Sequence, residues 1–253
     1  MIGYVPGRSP LHRAHPYTTL ALAGAILLGA FALTGPLAVW LLVLAAAAFA
    51  AVGGVLRASL RTALVLSLPI WVLLFVLHGL LGAEPRIVLG PVALSAAGVA
   101  RALVLGGRVT AIVLGFLAAL ATASPHALVE AMTADGVPFG RTFLLASTLT
   151  VLPRMRERAV QILEAQQCRG LRLGGSPVAR LRALGPLVLP LVLGALAEVD
   201  EQVLALDARG AAGAARRTAL APPNDSAGQR VLRWALLVLV AAAYAWKFRS
   251  MRG

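Results

Sequence analysis

The run Leu37-Ala38-Val39-Trp40-Leu41-Leu42-Val43-Leu44-Ala45-Ala46-Ala47-Ala48-Phe49-Ala50-Ala51-Val52 continues through Gly53-Gly54-Val55-Leu56 without a charged side chain. At a helical rise of about 1.5 Å per residue, about 20 apolar residues span the hydrocarbon core of a bilayer. Inside that core every backbone N–H and C=O must find its partner within the segment, so such a run predicts a membrane-crossing helix. Working outward, Tyr17 to Leu33 makes a similar run and stops at Thr34-Gly35-Pro36. Downstream, Leu64 to Leu81 fits and is followed by Gly82-Ala83-Glu84-Pro85, read as a loop. Ala100 to Ala121 fits if Arg101 sits at an interface and Arg108 snorkels or faces protein. Val231 to Trp246 is a shorter final run. The fold expected is an all-α integral membrane protein, a bundle of about five spans.

Composition agrees. The 253 residues are 59% hydrophobic and only 13% charged, with a mean hydropathy of +0.85. A soluble domain carries about a quarter charged residues. The formal net charge of +13 would suggest nucleic acid in a soluble chain, but here the cations sit between apolar runs. The positive-inside rule is the simpler reading, with no nucleic-acid partner. Arg8 and Arg13 before the first run, and Arg57 and Arg61 between the second and third, belong in the cytoplasm. That predicts a multi-pass protein of the cell membrane with a cytoplasmic N-terminus, and the first run is read as a retained span rather than a signal peptide. The tail cations Lys247, Arg249 and Arg252 then end outside, against the trend, unless an apolar stretch elsewhere also crosses. Lys247 is the only lysine and Cys168 the only cysteine, so no internal disulfide can form.

The chain divides into a bundle over residues 1–123, a charged cytoplasmic insertion over 124–229, and a last span with a basic tail over 230–253. The insertion holds nine of the ten acidic residues and about half of the arginines. Its punctuation is helical. Ser124-Pro125 is an N-cap followed by Pro at the first helical position, and that helix stops near Asp135-Gly136. Pro138 opens a long helix that runs to Arg169 and stops at Gly170. After Gly174-Gly175, Ser176-Pro177 opens another, which runs to Arg209 and stops at Gly210. Pro153 in the first, and Pro186 and Pro190 in the second, predict kinks or a division into two pieces. Leu184 to Leu196 is apolar all round, too short to span, and expected to be buried against the bundle or to dip into the bilayer. The two long helices are expected to cross beneath the bundle with their polar ends presented below.

The two long helices end alike. One closes Ala165-Gln166-Gln167-Cys168-Arg169-Gly170, the other Ala205-Leu206-Asp207-Ala208-Arg209-Gly210. A glycine just past a helix end takes the left-handed conformation cheaply, and a terminal arginine complements the helix dipole. Capping alone accounts for one such pair. Two equivalent pairs, each with Ala four residues before the Arg, suggest guanidinium groups offered to a partner with two equivalent grooves.

These residues resemble the transmembrane T component of energy-coupling factor (ECF) transporters, whose hallmark is a pair of Ala-Arg-Gly motifs ending two cytoplasmic coupling helices. Here they stand as Cys168-Arg169-Gly170, with a small-for-small change at its first position, and Ala208-Arg209-Gly210. The likeness extends to Leu152-Pro153, Glu157 and Glu164-Ala165-Gln166. It also covers Thr122-Ala123-Ser124-Pro125, Leu128 and Gly136-Val137-Pro138, and His15-Pro16 near the start, where the Lys-Leu that often follows is absent. The resemblance implies a coupling and scaffold subunit of an ATP-driven importer for a vitamin or a transition-metal ion. Its partners would be two cytoplasmic ABC-type ATPase subunits and a small membrane-embedded substrate-binding S component. Arg169 and Arg209 would each dock in one ATPase subunit.

No Gly-x-x-x-x-Gly-Lys-Ser/Thr phosphate loop is present, so ATP hydrolysis is expected in another chain and no cofactor is implied. Cys168 has no Cys or His partner in the sequence around it and reads as a small packing residue. His78 reads as a satisfied interior histidine near the outer end of the third span, with a pathway role as the alternative. Arg101 and Arg108, seven apart on one face, read as structural. An alternative class is an integral membrane enzyme acting on a lipid or prenyl substrate. Its chemistry would have to rest on Asp200-Glu201 and Asp207, which lack the repeated acidic pattern such reactions use. A conventional ABC permease with its own substrate path would keep the membrane role but couple through one short cytoplasmic helix.

Overall fold

The computed structural model describes residues 7, 9–80, 86–89, 92–171, 185–210 and 223–250. It is all-α apart from one short hairpin, and its contacts form two units: Met1–Ala131 with Ala221–Gly253, and Met132–Leu220.

In the first unit, a single-turn helix α1 (Pro10–Arg13) precedes α2 (Pro16–Ala32), α3 (Pro36–Val52) and α4 (Leu56–Leu74). The last continues as a π-helical turn over Phe75–Leu80. Strands β1 (Arg86–Leu89) and β2 (Val92–Ser95) pair antiparallel, Ile87 opposite Leu94. Helix α5 (Ala96–Thr122) comes next, and after α6 (Pro125–Ala134) the unit resumes at α9 (Ala227–Ser250). Pro36 at the first position of α3, with its N–H not needed there, lets the chain reverse after Thr34-Gly35.

Three helices among the described residues are long and apolar enough to cross a membrane: Leu56–Leu80, Ala96–Thr122 and Ala227–Ser250. Helices α2 and α3, with 17 residues each, are shorter apolar helices. Two sequence expectations move. The third run begins at Leu56, so Arg57 and Arg61 lie in the opening turns of α4 rather than in a loop. Both are exposed, which their long stems allow while the guanidinium reaches water. The final helix has 24 residues rather than a short span, and Ser226 Oγ accepts from the Gln229 N–H at its start. The loop expected at Gly82-Ala83-Glu84-Pro85 lies outside the described residues, and strands β1 and β2 come after it.

Helix α5 is the centre, and small residues make it so. A Cβ on Gly107 would lie 2.9 Å from Val39, and one on Gly53 would lie 2.8 Å from Thr122, so α3 runs parallel to α5. A Cβ on Gly115 would lie 3.0 Å from Ile26, while Arg108 reaches Leu33, so α2 runs antiparallel. The Trp71 indole lies on Gly106 and the His78 carbonyl on Gly98, so α4 is also antiparallel. Such close backbone approach gives helices in lipid their dispersion contacts where no hydrophobic effect drives them together. The core around Leu114 is accordingly alanine-rich: Ala46, Ala50, Ala63, Ala111 and Ala118 are all fully buried.

Helix α9 lies parallel to α2 and is tied to it at both ends. At the start, Gln229 Oε1 accepts from the His15 backbone N–H (2.8 Å) and from Thr18 Oγ1 (3.3 Å). At the end, Lys247 Nζ donates to the Phe31 carbonyl (2.6 Å). The starts of α2, α4 and α9 and the ends of α3 and α5 therefore share one face of this unit. Lys247, and the Arg249 beyond it, belong to the opposite face. The cation that broke the charge trend caps the free carbonyls ending α2, and Arg108 does the same at Leu33 (2.7 Å).

In the second unit, α7 (Phe139–Cys168) packs on α8 (Gly185–Ala208). Gly136, at φ +78°, makes the turn into α7. Helix α7 continues unbroken through Pro153, so the expected division into pieces does not occur there. The opening expected at Gly174-Gly175 and Ser176-Pro177 lies outside the described residues. No residue of α8 is buried, so its apolar middle is not covered among the described residues: Leu189, Leu193 and Leu196 are all exposed.

Candidate functional site

Both Arg-Gly pairs sit where two helices stop. At the end of α7, Arg169 is the C-cap and Gly170 stands next at φ +92°. The Leu171 N–H reaches back to the Gln166 carbonyl (2.9 Å) and the Gly170 N–H to the Gln167 carbonyl (3.0 Å). That pair of bonds satisfies carbonyls the helix leaves open and needs a left-handed residue, which glycine supplies without a Cβ clash. At the end of α8, Gly210 stands at φ +65° and its N–H bonds to the Asp207 carbonyl (2.9 Å). The backbone reason for glycine is thus the same at both ends.

The side chains also agree. Ala165, Cys168, Arg169 and Gly170 are exposed, and so are Ala205, Ala208, Arg209 and Gly210. Neither guanidinium meets an acceptor among the described residues. Cys168 is exposed rather than packed. The two ends are alike but belong to separate helices, and no described contact joins them.

What joins the two helices lies further back, at residues that sequence reasoning does not single out. Glu198 of α8 takes Arg154 (3.4 Å) and Arg158 (3.6 Å) of α7, and Arg158 also donates to the Gly194 carbonyl (3.2 Å). Arg154 and Arg158 are four apart and so share a helix face, a signal the sequence carries. Their partner is beyond reach without the fold.

A second polar cluster ties α9 to the start of α2. Arg233 donates to Asp225 Oδ2 (2.7 Å) and to Thr18 Oγ1 (3.2 Å), and lies 3.4 Å from Nδ1 of the buried His15. The Arg233 hydrogen bond, helped by the charges of Arg233, His15 and Arg230, holds the Asp225 carboxyl below the usual aspartate value against the opposing effect of burial. In the sequence His15 stands out only as part of a family likeness. In the fold it caps α2, its Nδ1 accepting from the Tyr17 N–H.

His78 stands in the π-helical turn with its Nδ1 buried and without a hydrogen-bond partner among the described residues, which departs from the satisfied histidine expected. Arg108 has a structural partner in the Leu33 carbonyl, and Arg101 is exposed.

A family model described as cobalt transport protein (CbiQ) matches residues 7–220. The chain is 30% identical over 248 residues to an energy-coupling factor transporter transmembrane protein EcfT of Thermanaerovibrio acidaminovorans, covering 92% of this chain and 87% of that one. It is 29% identical over 237 residues to the protein of the same name from Brevibacillus brevis, covering 86% of each. A Bifidobacterium longum protein named as an ABC transporter ATP-binding protein is 26% identical over 170 residues, which are 64% of this chain and 22% of that one. With most of its length matched by the family model and by its EcfT relatives, the chain belongs to the CbiQ/EcfT family, the transmembrane proteins of energy-coupling factor transporters.

Proposed function

We propose that this chain is the coupling and scaffold subunit of an ATP-driven importer, and that Arg169 and Arg209 are its grips on two cytoplasmic ABC-type ATPase subunits. The observation that carries the proposal is the repeated helix end: two exposed guanidinium groups, each fixed beside a left-handed glycine, neither satisfied within the described chain. An arginine of this kind suits a partly desolvated groove lined by carboxylates or carbonyls. Residues 165, 168, 205 and 208 stay small or exposed, so the last turn can lie close to a partner surface. A relative whose printed name is ATP-binding supports an ATPase partner of the ABC class.

In this reading ATP binding and hydrolysis occur in the partner subunits and move the two grooves. Helices α7 and α8 carry the motion to the bundle, which holds a small membrane-embedded S component that chooses the vitamin or metal ion. Residues 1–123 and 230–253 form the membrane part and 124–229 the cytoplasmic part. The face of the first unit that carries Arg13, Arg57, Arg61, Arg230 and Arg233 is cytoplasmic by the positive-inside rule, in the plasma membrane. No observation favours the lipid-enzyme reading, since Asp200, Glu201 and Asp207 lie exposed along α8.

The test is affinity purification of the chain from its own membranes, compared with an Arg169→Ala/Arg209→Ala variant. Truncating an interface arginine of this kind costs about 2 kcal/mol or more. The expected result is loss of P-loop ATPases from the variant and loss of uptake, with the S component retained. Unchanged ATPase recovery and uptake would return the Arg-Gly pairs to helix caps.

A further inference from the structure

The crossing of α7 and α8 repeats the offset of the two motifs. Arg169 and Arg209 stand 40 positions apart, and so do Arg154 and Gly194, and Arg158 and Glu198. Among the described residues, polar contacts at the crossing join Arg154 with Glu198, Arg158 with Gly194, and Arg158 with Glu198. Exchanging each residue for its counterpart 40 positions away turns the first contact into the second and leaves the third unchanged. Any antiparallel pair of helices shows this closure; what is particular to this crossing is that it is centred at the same distance from both Arg-Gly ends, on a local and approximate two-fold axis.

The distances to the helix ends obey the same rule. Eleven residues separate Arg158 from Arg169, and eleven separate Glu198 from Arg209. At about 1.5 Å per residue each arm is about 16 Å long. The joint between them is built for close approach. A Cβ on Gly194 would come within 3.1 Å of the Arg158 guanidinium. Glu198 is the least exposed of the three charged groups, with 22% of its side chain accessible against 61% and 45% for its two arginines. A single exposed ion pair fixes little, but two guanidiniums on one carboxylate, one of them also held by a backbone carbonyl, fix a direction as well as a contact.

We infer that the Arg154–Arg158–Glu198 clasp is the pivot of the coupling helices: it lies on a local two-fold relation between α7 and α8 and sets the two Arg-Gly ends at equal reach for a symmetric pair of docking sites. Glu198 and Arg158 are positioning residues, acting through Arg169 and Arg209. The inference rests on the docking role proposed for those two arginines. A small change of crossing angle becomes a large displacement at the ends. Helix crossings of one class scatter by about 20°, and an arm of about 16 Å swung through that angle moves its tip by about 5 Å.

The test uses the full chain in lipid nanodiscs, spin-labelled at the native Cys168 and at Leu204→Cys, with uptake and ATP consumption measured on the unlabelled chain in its transporter complex. Glu198→Arg should shift or broaden the distance distribution by about 5 Å and lower uptake per ATP, while the ATPases still co-purify. Glu198→Gln should give a smaller shift in the same sense and stands in if the reversal fails to fold. The swap Glu198→Arg with Arg154→Glu and Arg158→Glu should recover most of the distance and of the uptake per ATP, falling short by the Arg158–Gly194 hydrogen bond that a carboxylate cannot donate. A Glu198→Arg or Glu198→Gln distribution that superimposes on that of the parent overturns the inference, and so does a shifted distance with unchanged uptake per ATP. Neither result touches the docking role, which stands or falls on ATPase recovery by the Arg169→Ala/Arg209→Ala variant.

Discussion

Helices α5 and α8 are similar in length, 27 and 24 residues, and opposite in how they are held. Helix α5 buries 13 residues, most of them Gly, Ala or Thr, against three other helices of its unit. Helix α8 buries none and leaves larger side chains, Leu189, Leu193 and Leu196 among them, exposed. Apolar content therefore does not decide which helix forms a core. Side-chain size does, because small residues let backbones approach and large ones hold them apart. Helix α8 takes its position from an ionic crossing and a capped end, and α5 from packing.

The sharpest way to break this comparison is to add bulk to each helix. A Cβ on Gly98 would fall on the His78 carbonyl, a backbone atom that cannot turn aside. Gly98→Leu should cost more than about 3 kcal/mol, beyond ordinary overpacking, and clear the chain from the membrane fraction. Gly185 in α8 has nothing within 4 Å of its Cβ position. Gly185→Ala should leave detergent melting unchanged or raise it slightly. Equal tolerance at the two sites would end the distinction.

The next largest effect concerns how the bundle holds its last helix. Arg233→Met removes the partner of Asp225 and Thr18, and should cost about 2 kcal/mol through acceptors left unpaired. Asp225 also gives a pH dependence. Its folded pKa is depressed below 3.8, so its contribution to stability is complete above that unfolded value and is lost as pH falls through the folded one. Melting of the parent chain should therefore lose more between pH 5 and pH 3 than that of Asp225→Asn. A parallel fall in both would remove Asp225 from the account.

Smaller effects belong to the capped ends. Gly170→Ala and Gly210→Ala place a Cβ in the left-handed region, at about 1 kcal/mol each. Amide exchange should speed up at Leu171 and over the last turns of α7 and α8, with no change in global melting. Lys247→Ala removes one exposed donor to the end of α2, worth about 0.3–1 kcal/mol, and its melting shift should be the smallest of the series.

Much of the fold is legible in the sequence. Helix ends marked by Pro, Gly and Ser are readable because those residues act locally: Pro36, Ser124-Pro125 and Gly170 each need only their neighbours. The hairpin escapes notice although Arg86-Ile87-Val88-Leu89 and Val92-Ala93-Leu94-Ser95 flank Gly90-Pro91, a turn signal easily lost inside an apolar chain. The Arg-Gly ends are visible both as motifs and as caps. The Glu198 clasp is not, because a contact between residues more than 30 positions apart depends on how the chain returns.

The π-helical turn at Phe75–Leu80 has a consequence for how this sequence can change. Such a turn holds an extra residue relative to an α-helix without breaking the helix. Removing one residue there would rotate everything beyond it by about 100° and shorten it by about 1.5 Å. Helix α4 up to Trp71, with its bond to Thr110, would stay in place, while the His78 carbonyl would leave Gly98. In an aligned set of homologous chains, a one-residue gap at this point should be accompanied by a change at position 98, where glycine would no longer be required.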